Sequence, residues 1–134
     1  MLEPVAAHAI APVWPWVRDG LQRIIAKTGD DWIPEDVYHE IKGGASRLFL
    51  IYADAERIGF LIVQFWPAYH SGPRLFVRAL WAEPGKLQPY RDAFYEELKT
   101  MARKDGFVAL RMNSPRRWDL DGWIAKQVIY EMEV

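Results

Sequence analysis

Apolar residues recur at two different spacings along this chain, and the changes between them mark out its elements. From Val13 to Lys27 they return every three or four positions, at Trp14, Val17, Leu21, Ile24 and Ile25. This predicts an amphipathic helix with Pro15 tolerated in its first turn and Gly29 as its stop. Asp19 and Arg23 are spaced to pair on its outer side. A second, shorter helix is predicted from Pro34, burying Val37, Tyr38 and Ile41 and ending at Gly43-Gly44. Ahead of both, Glu3 to Ala7 reads as a short edge strand.

The pattern then changes. From Arg47 to Tyr52 and from Ile58 to Trp66 apolar residues are almost continuous, as in central strands covered on both faces. Asp54-Ala55-Glu56 supplies a hairpin turn, and the turn-forming stretch Pro67 to Pro73 leads to a third strand over Leu75 to Ala82. These three form an antiparallel meander. A helix from about Gln88 to Asp105 buries Tyr90, Phe94, Leu98, Met101 and Ala102, with Asp92 in its first turn and Arg103 and Lys104 in its last. After Gly106, Phe107 to Met112 is a strand that the crossover helix places parallel to the one before it. Ser114 and Pro115 read as the start of a short helix carrying Trp118 and finishing near Gly122. Finally, Val128, Tyr130, Met132 and Val134 alternate with Gln127, Glu131 and Glu133, apart from Ile129, which predicts a terminal strand. The summed order is β-α-α-β-β-β-α-β-α-β, an α/β (α+β) fold. It has a mixed central sheet of about six strands with helices on both faces, in one domain spanning residues 1–134.

Composition narrows the functional classes. The 134 residues are 51% hydrophobic and 26% charged, which suits a folded domain. Seventeen basic against eighteen acidic residues give a formal charge of −1, without the positive field that gathers nucleic acid. No cysteine is present, so disulfides, thiolate zinc sites and cysteine nucleophiles are excluded, and a cytoplasmic setting is the expectation. No apolar run approaches the roughly 20 residues of a membrane span, and Met1 to Ala11 lacks a basic leader. His8, His39 and His70 have no metal-ligand spacing and read as surface histidines. Ser46, Ser71 and Ser114 lie in no nucleophile-elbow pattern. Arg116-Arg117-Trp118 offers charge beside an indole, but three adjacent residues are a very weak signal and most such clusters form a helix start with solvated charges. Seven tryptophans are many for this length. Trp14, Trp16, Trp32 and Trp66 suit either anchors for a protein partner or self-association, or caps over the ends of a small sheet.

The order of elements, Ala82-Glu83-Pro84 closing the fourth strand, Gly106 before an apolar strand and Gly122-Trp123 near the end together resemble the GNAT superfamily, the Gcn5-related N-acetyltransferases. The likeness extends over essentially the whole chain, and is greatest to short GNAT-like proteins found among phage genes. It implies an acyl-coenzyme A site. Leu80 and Ala82 would lie along the cofactor, Lys86, Gln88 and Arg91 would meet its phosphates, and Glu83 would be the candidate base.

The family's loop has the form Gln/Arg-x-x-Gly-x-Gly/Ala, whose bare amides grip the pyrophosphate at a helix N-terminus. Counting back from Gly106 puts its small positions at Pro89 and Arg91; counting forward from Pro84 puts them at Tyr90 and Asp92. Neither alignment finds a glycine or alanine. Trp118 stands where many family members carry a tyrosine acid. Two readings follow: a GNAT-like protein without bound cofactor, acting as a binding or assembly module, or an active acetyl-CoA-dependent N-acetyltransferase with a divergent loop. Neither involves nucleic acid, membrane or metal.

Overall fold

The near-continuous apolar runs in the middle of the chain become long strands whose side chains divide between two cores. The computed structural model describes residues 1–68, 70–114, 122–127 and 129–133. In chain order the elements are β1 (Leu2–Val5), α1 (Trp14–Thr28), α2 (Pro34–Lys42), β2 (Ser46–Ala53), β3 (Glu56–Trp66), β4 (Arg74–Ala82), α3 (Arg91–Lys104) and β5 (Ala109–Met112). Single 3₁₀ turns cover Ala7–Ala9 and Gln88–Tyr90.

The described strands form one five-stranded sheet in sequence order, antiparallel from β1 to β4 and parallel between β4 and β5. On one face Val17 and Leu21 of α1 and Val37 and Ile41 of α2 pack with Leu48, Leu50, Phe60, Ile62 and Ala79. On the other face Phe94, Leu98 and Ala102 of α3 pack with Phe49, Ile51, Leu61, Val63, Leu75 and Val77. Strands covered on both sides need apolar residues at both parities, which is why the alternation vanishes in β2 and β3.

Local chemistry sets the ends. Gly29, at φ 70°, closes α1, its N–H donating to the Ile25 carbonyl. The Asp36 carboxylate accepts the Ile33 N–H at 3.0 Å ahead of α2. The β2–β3 turn is a two-residue connection in which Asp54 and Ala55 both have positive φ, 51° and 64°, matching the handedness of a twisted hairpin.

Three expectations change. Over Gln127–Val134, where a terminal strand was expected, the described residues 127 and 129–133 carry no strand and are exposed. The sheet therefore has five strands among the described residues rather than about six. The α3 region opens with a 3₁₀ turn, since Pro89 lacks the N–H of a regular first turn and Tyr90 and Arg91 close tighter i→i−3 bonds. The helix expected after Ser114, with Trp118 and the Arg116-Arg117 pair, lies outside the described residues but for its ends. No helix among the described residues is long and apolar enough to cross a membrane.

Candidate functional site at the split between the parallel strands

β4 and β5 pair only from Arg74 to Val77. β5 ends at Met112, so residues 78–82 of β4 have no strand on that side among the described residues. In sheets of this kind ligands sit beyond the carboxyl ends of strands, where the connectivity changes direction. The split coincides with a bulge: Ile62 faces Ala79 while Val63 faces Val77, leaving Arg78 as the extra residue. Arg78 turns toward α2, where Nε and Nη2 donate to Glu40 at 3.1 and 3.2 Å. Its guanidinium lies 4.7 Å from the Trp32 ring centre. Glu40 also accepts from Ser46 Oγ at 2.9 Å and Gln64 Nε2 at 2.7 Å. One carboxylate thus ties α2, β2, β3 and β4 together beside the split.

Beyond β4 the chain folds onto the β2–β3 hairpin. Glu83 N–H donates to the Ile58 carbonyl at 2.8 Å. Lys86 Nζ pairs with Glu56 and, at 2.9 Å, with Glu83; these two carboxylates, Glu56 foremost, hold its pKa well above the usual lysine range. The Tyr90 hydroxyl donates to Asp54 at 2.8 Å, which raises the phenol's pKa. At the start of α3 the donors are mostly committed. Pro89 has no N–H, that of Tyr90 goes to the Leu87 carbonyl at 2.9 Å, and that of Arg91 goes to the Gln88 carbonyl.

Two shallow depressions flank this region. One, of about 230 Å³, is lined by Gln88, Pro89, Arg91 and Asp92. The other, of about 360 Å³, lies between α1 and the end of β4, with Trp16, Trp81, Asp19, Arg23, Glu83 and Lys86 in its walls. Trp81 stacks on Phe60 and meets Trp16 edge-on at 5.5 Å, while Arg57 lies 4.1 Å over the Trp16 ring.

No protein-family model matches the chain, and no curated protein matches it in sequence. Its fold has many counterparts among solved structures. A probable acetyltransferase superposes with a TM-score of 0.71 at 16% identity, over 100% of this chain and 97% of that one. The ribosomal-protein-alanine N-acetyltransferase of Brucella melitensis biovar Abortus 2308 gives 0.68 at 15% identity, over 100% and 98%. A predicted acetyltransferase from Clostridium acetobutylicum, solved with acetyl-CoA, gives 0.61 at 9% identity, over 95% of each chain. This chain has the GNAT-superfamily fold.

On the GNAT framework the expected site residues separate. Leu80 is exposed on the α3 side of the end of β4 that has no β5 partner among the described residues, and Ala82 pairs with Gly59. Glu83 and Lys86 form an ion pair at the α1 side, whereas Gln88 and Arg91 line the depression at the start of α3. Asp54 and Glu56 were absent from the expected set. They lie 36 and 30 positions from their partners, and no local pattern announces such a contact. Trp14, Trp16, Trp32 and Trp66 each pack on a neighbour within the chain: Tyr38, Phe60, Arg78 and Phe76. His8, His39 and His70 are exposed. Among the described residues no group of three or more His, Asp or Glu side chains is arranged to hold a metal.

Proposed function

We propose that this GNAT-fold chain has lost the anion grip of an acyl-CoA enzyme and works as a binding or assembly module. The observation that carries the reading is the 3₁₀ turn at Gln88–Tyr90. A phosphate at a helix start needs amides pointing outward, and here two point into the turn while Pro89 has none. The surroundings add to this: Glu56 and Glu83 pair with Lys86, Asp92 shares a depression with Arg91, and Asp54 accepts from Tyr90, a charge balance opposed to a pyrophosphate. The residues present do not fit the cofactor.

Thermal unfolding with acetyl-CoA and with coenzyme A tests the reading. A ligand at one hundred times its dissociation constant stabilises a fold by about 2.7 kcal/mol, a shift of several degrees for a chain of this size. The expected result is no saturable shift with either compound, and a saturable shift overturns the reading. The alternative, an active N-acetyltransferase with a divergent loop, is favoured by the end of β4 at residues 78–82, which has no β5 partner among the described residues, and by Glu83 beside it as a base. Coenzyme A release in the presence of small amines, lost on Glu83→Gln, would establish that alternative.

A further inference from the structure

Beside the β2–β3 hairpin, Arg57 is a cation that its own chain leaves without a carboxylate. The neighbouring cations are matched: Lys86 pairs with Glu56 and Glu83, and Arg23 pairs with Asp19 at 3.0 Å. Among the described residues the Arg57 side chain meets no carboxylate and no hydrogen-bond acceptor. What it meets is an indole. Its guanidinium carbon lies 4.1 Å from the centre of the Trp16 ring, and the residue is half-buried there. A guanidinium held against an aromatic face keeps its N–H donors, which lie in its own plane, for a further acceptor. Because the side chain is already held in place, little of its freedom is left to lose when that acceptor arrives.

Trp16 also walls the depression of about 360 Å³ between α1 and the end of β4, a volume within the roughly 300–1,000 Å³ of small-ligand sites. The floor is apolar and closely packed. Trp16 and Trp81 meet edge-on and both pack on Phe60, while a Cβ at Gly20 would run into Phe60 and Trp81, so α1 lies directly on the rings. An apolar body lying on this floor needs to span only one indole to bring a polar end to Arg57. The charges decide its sign. Arg23, Arg57 and Lys86 stand against Asp19, Glu56 and Glu83, and the only one of these six without an ionic partner among the described residues is Arg57. A monoanion leaves this balanced group with one negative charge and a phosphate dianion leaves it with two, so a carboxylate is favoured over a phosphate. The planar fork of arginine also matches the two oxygens of a carboxylate.

We propose that Arg57 and Trp16 form a binding site for a small organic carboxylate with a flat apolar body. The carboxylate accepts from the Arg57 guanidinium, and the body lies against Trp16 and Trp81. This names a ligand for the binding half of the reading above and rests on it. The site is separate from the turn at Gln88–Tyr90, so the acetyl-CoA titration and the one that follows fail independently.

Titration of the full chain with phenylpropionate, followed through the tryptophan indole N–H signals in nuclear magnetic resonance spectra, tests it. Saturable shifts of the Trp16 and Trp81 signals are expected. Phenylpropionamide keeps the body without the charge and is expected to bind about tenfold more weakly, or worse. Phenylpropylamine is expected to give no saturable shift. No saturable shift with the acid, equal binding of acid, amide and amine, or tighter binding of phenyl phosphate than of the acid each overturns the proposal. Arg57→Gln is expected to weaken phenylpropionate binding by about tenfold or more, and Arg57→Lys, which keeps the charge and loses the fork, by less. Arg18→Gln removes the same charge where α1 meets α2 and Arg18 pairs with Glu35, and it is expected to leave the affinity unchanged. Wild-type affinity in Arg57→Gln, or an equal loss in Arg18→Gln, overturns the assignment to Arg57. The comparison of acid, amide and amine needs no variant, so it decides the question even where Arg57→Gln fails to fold.

Discussion

Two side chains show how single residues decide local outcomes here. Ala55 sits at φ 64°, a conformation that costs an L-residue with a Cβ about 1 kcal/mol and costs glycine almost nothing. Ala55→Gly is expected to raise stability by about 1 kcal/mol, seen as a higher denaturant midpoint with an unchanged slope. Asp54, the other turn residue, tolerates its positive φ and accepts from Tyr90. Glu40 has the opposite character. Its carboxylate answers Ser46, Gln64 and Arg78, and the ion pair with Arg78 is mostly shielded from water, the two side chains being 24% and 17% exposed. Glu40→Ala leaves the Arg78 guanidinium and the Ser46 hydroxyl without their carboxylate, while Gln64 Nε2 keeps Ser46 Oγ as acceptor, and is expected to cost about 2–4 kcal/mol in chemical unfolding.

At the scale of elements, the entry to α3 is where function is argued. Replacing Pro89 by glycine restores a donor and relaxes the 3₁₀ turn, and replacing Asp92 by alanine removes a carboxylate from the same depression. The double substitution is expected to produce an acetyl-CoA-dependent thermal shift where the unmodified chain gives none. Most elements were legible from spacing alone: α1, α2, the β2–β3–β4 meander, α3 and the parallel return to β5 fall within a few residues of their expected limits. Their burial is periodic, and periodicity is a local property. The features that shape the site are not local. The Arg78 bulge is a mismatch between two strands, and the Glu40 cluster joins residues up to 38 positions apart. The tail shows the converse limit. Alternation in Gln127–Val134 reports a segment suited to a sheet, yet the described residues there carry no strand.

Across the whole molecule, one sheet separates two apolar cores, and every strand must deliver each side chain to the correct one. β4 crosses its bulge midway and still sends Val77 to the α3 core and Ala79 to the α1/α2 core. Trp81 then stacks on Phe60, and Leu80 stands on the other side. The surplus residue keeps this phase. Were Arg78 drawn into a regular ladder, everything from Ala79 to Ala82 would exchange sides. A deletion inside a central strand ordinarily inverts the residues that follow. Here, excising residue 78 straightens the strand while Trp81 keeps its place against Phe60. The shortened chain is therefore expected to fold, losing about as much stability as Glu40→Ala, whereas excising Ala79 with Arg78 left in place forces arginine into the small slot of a buried alanine and unfolds the protein. Circular dichroism melts of the two deletion variants distinguish these outcomes.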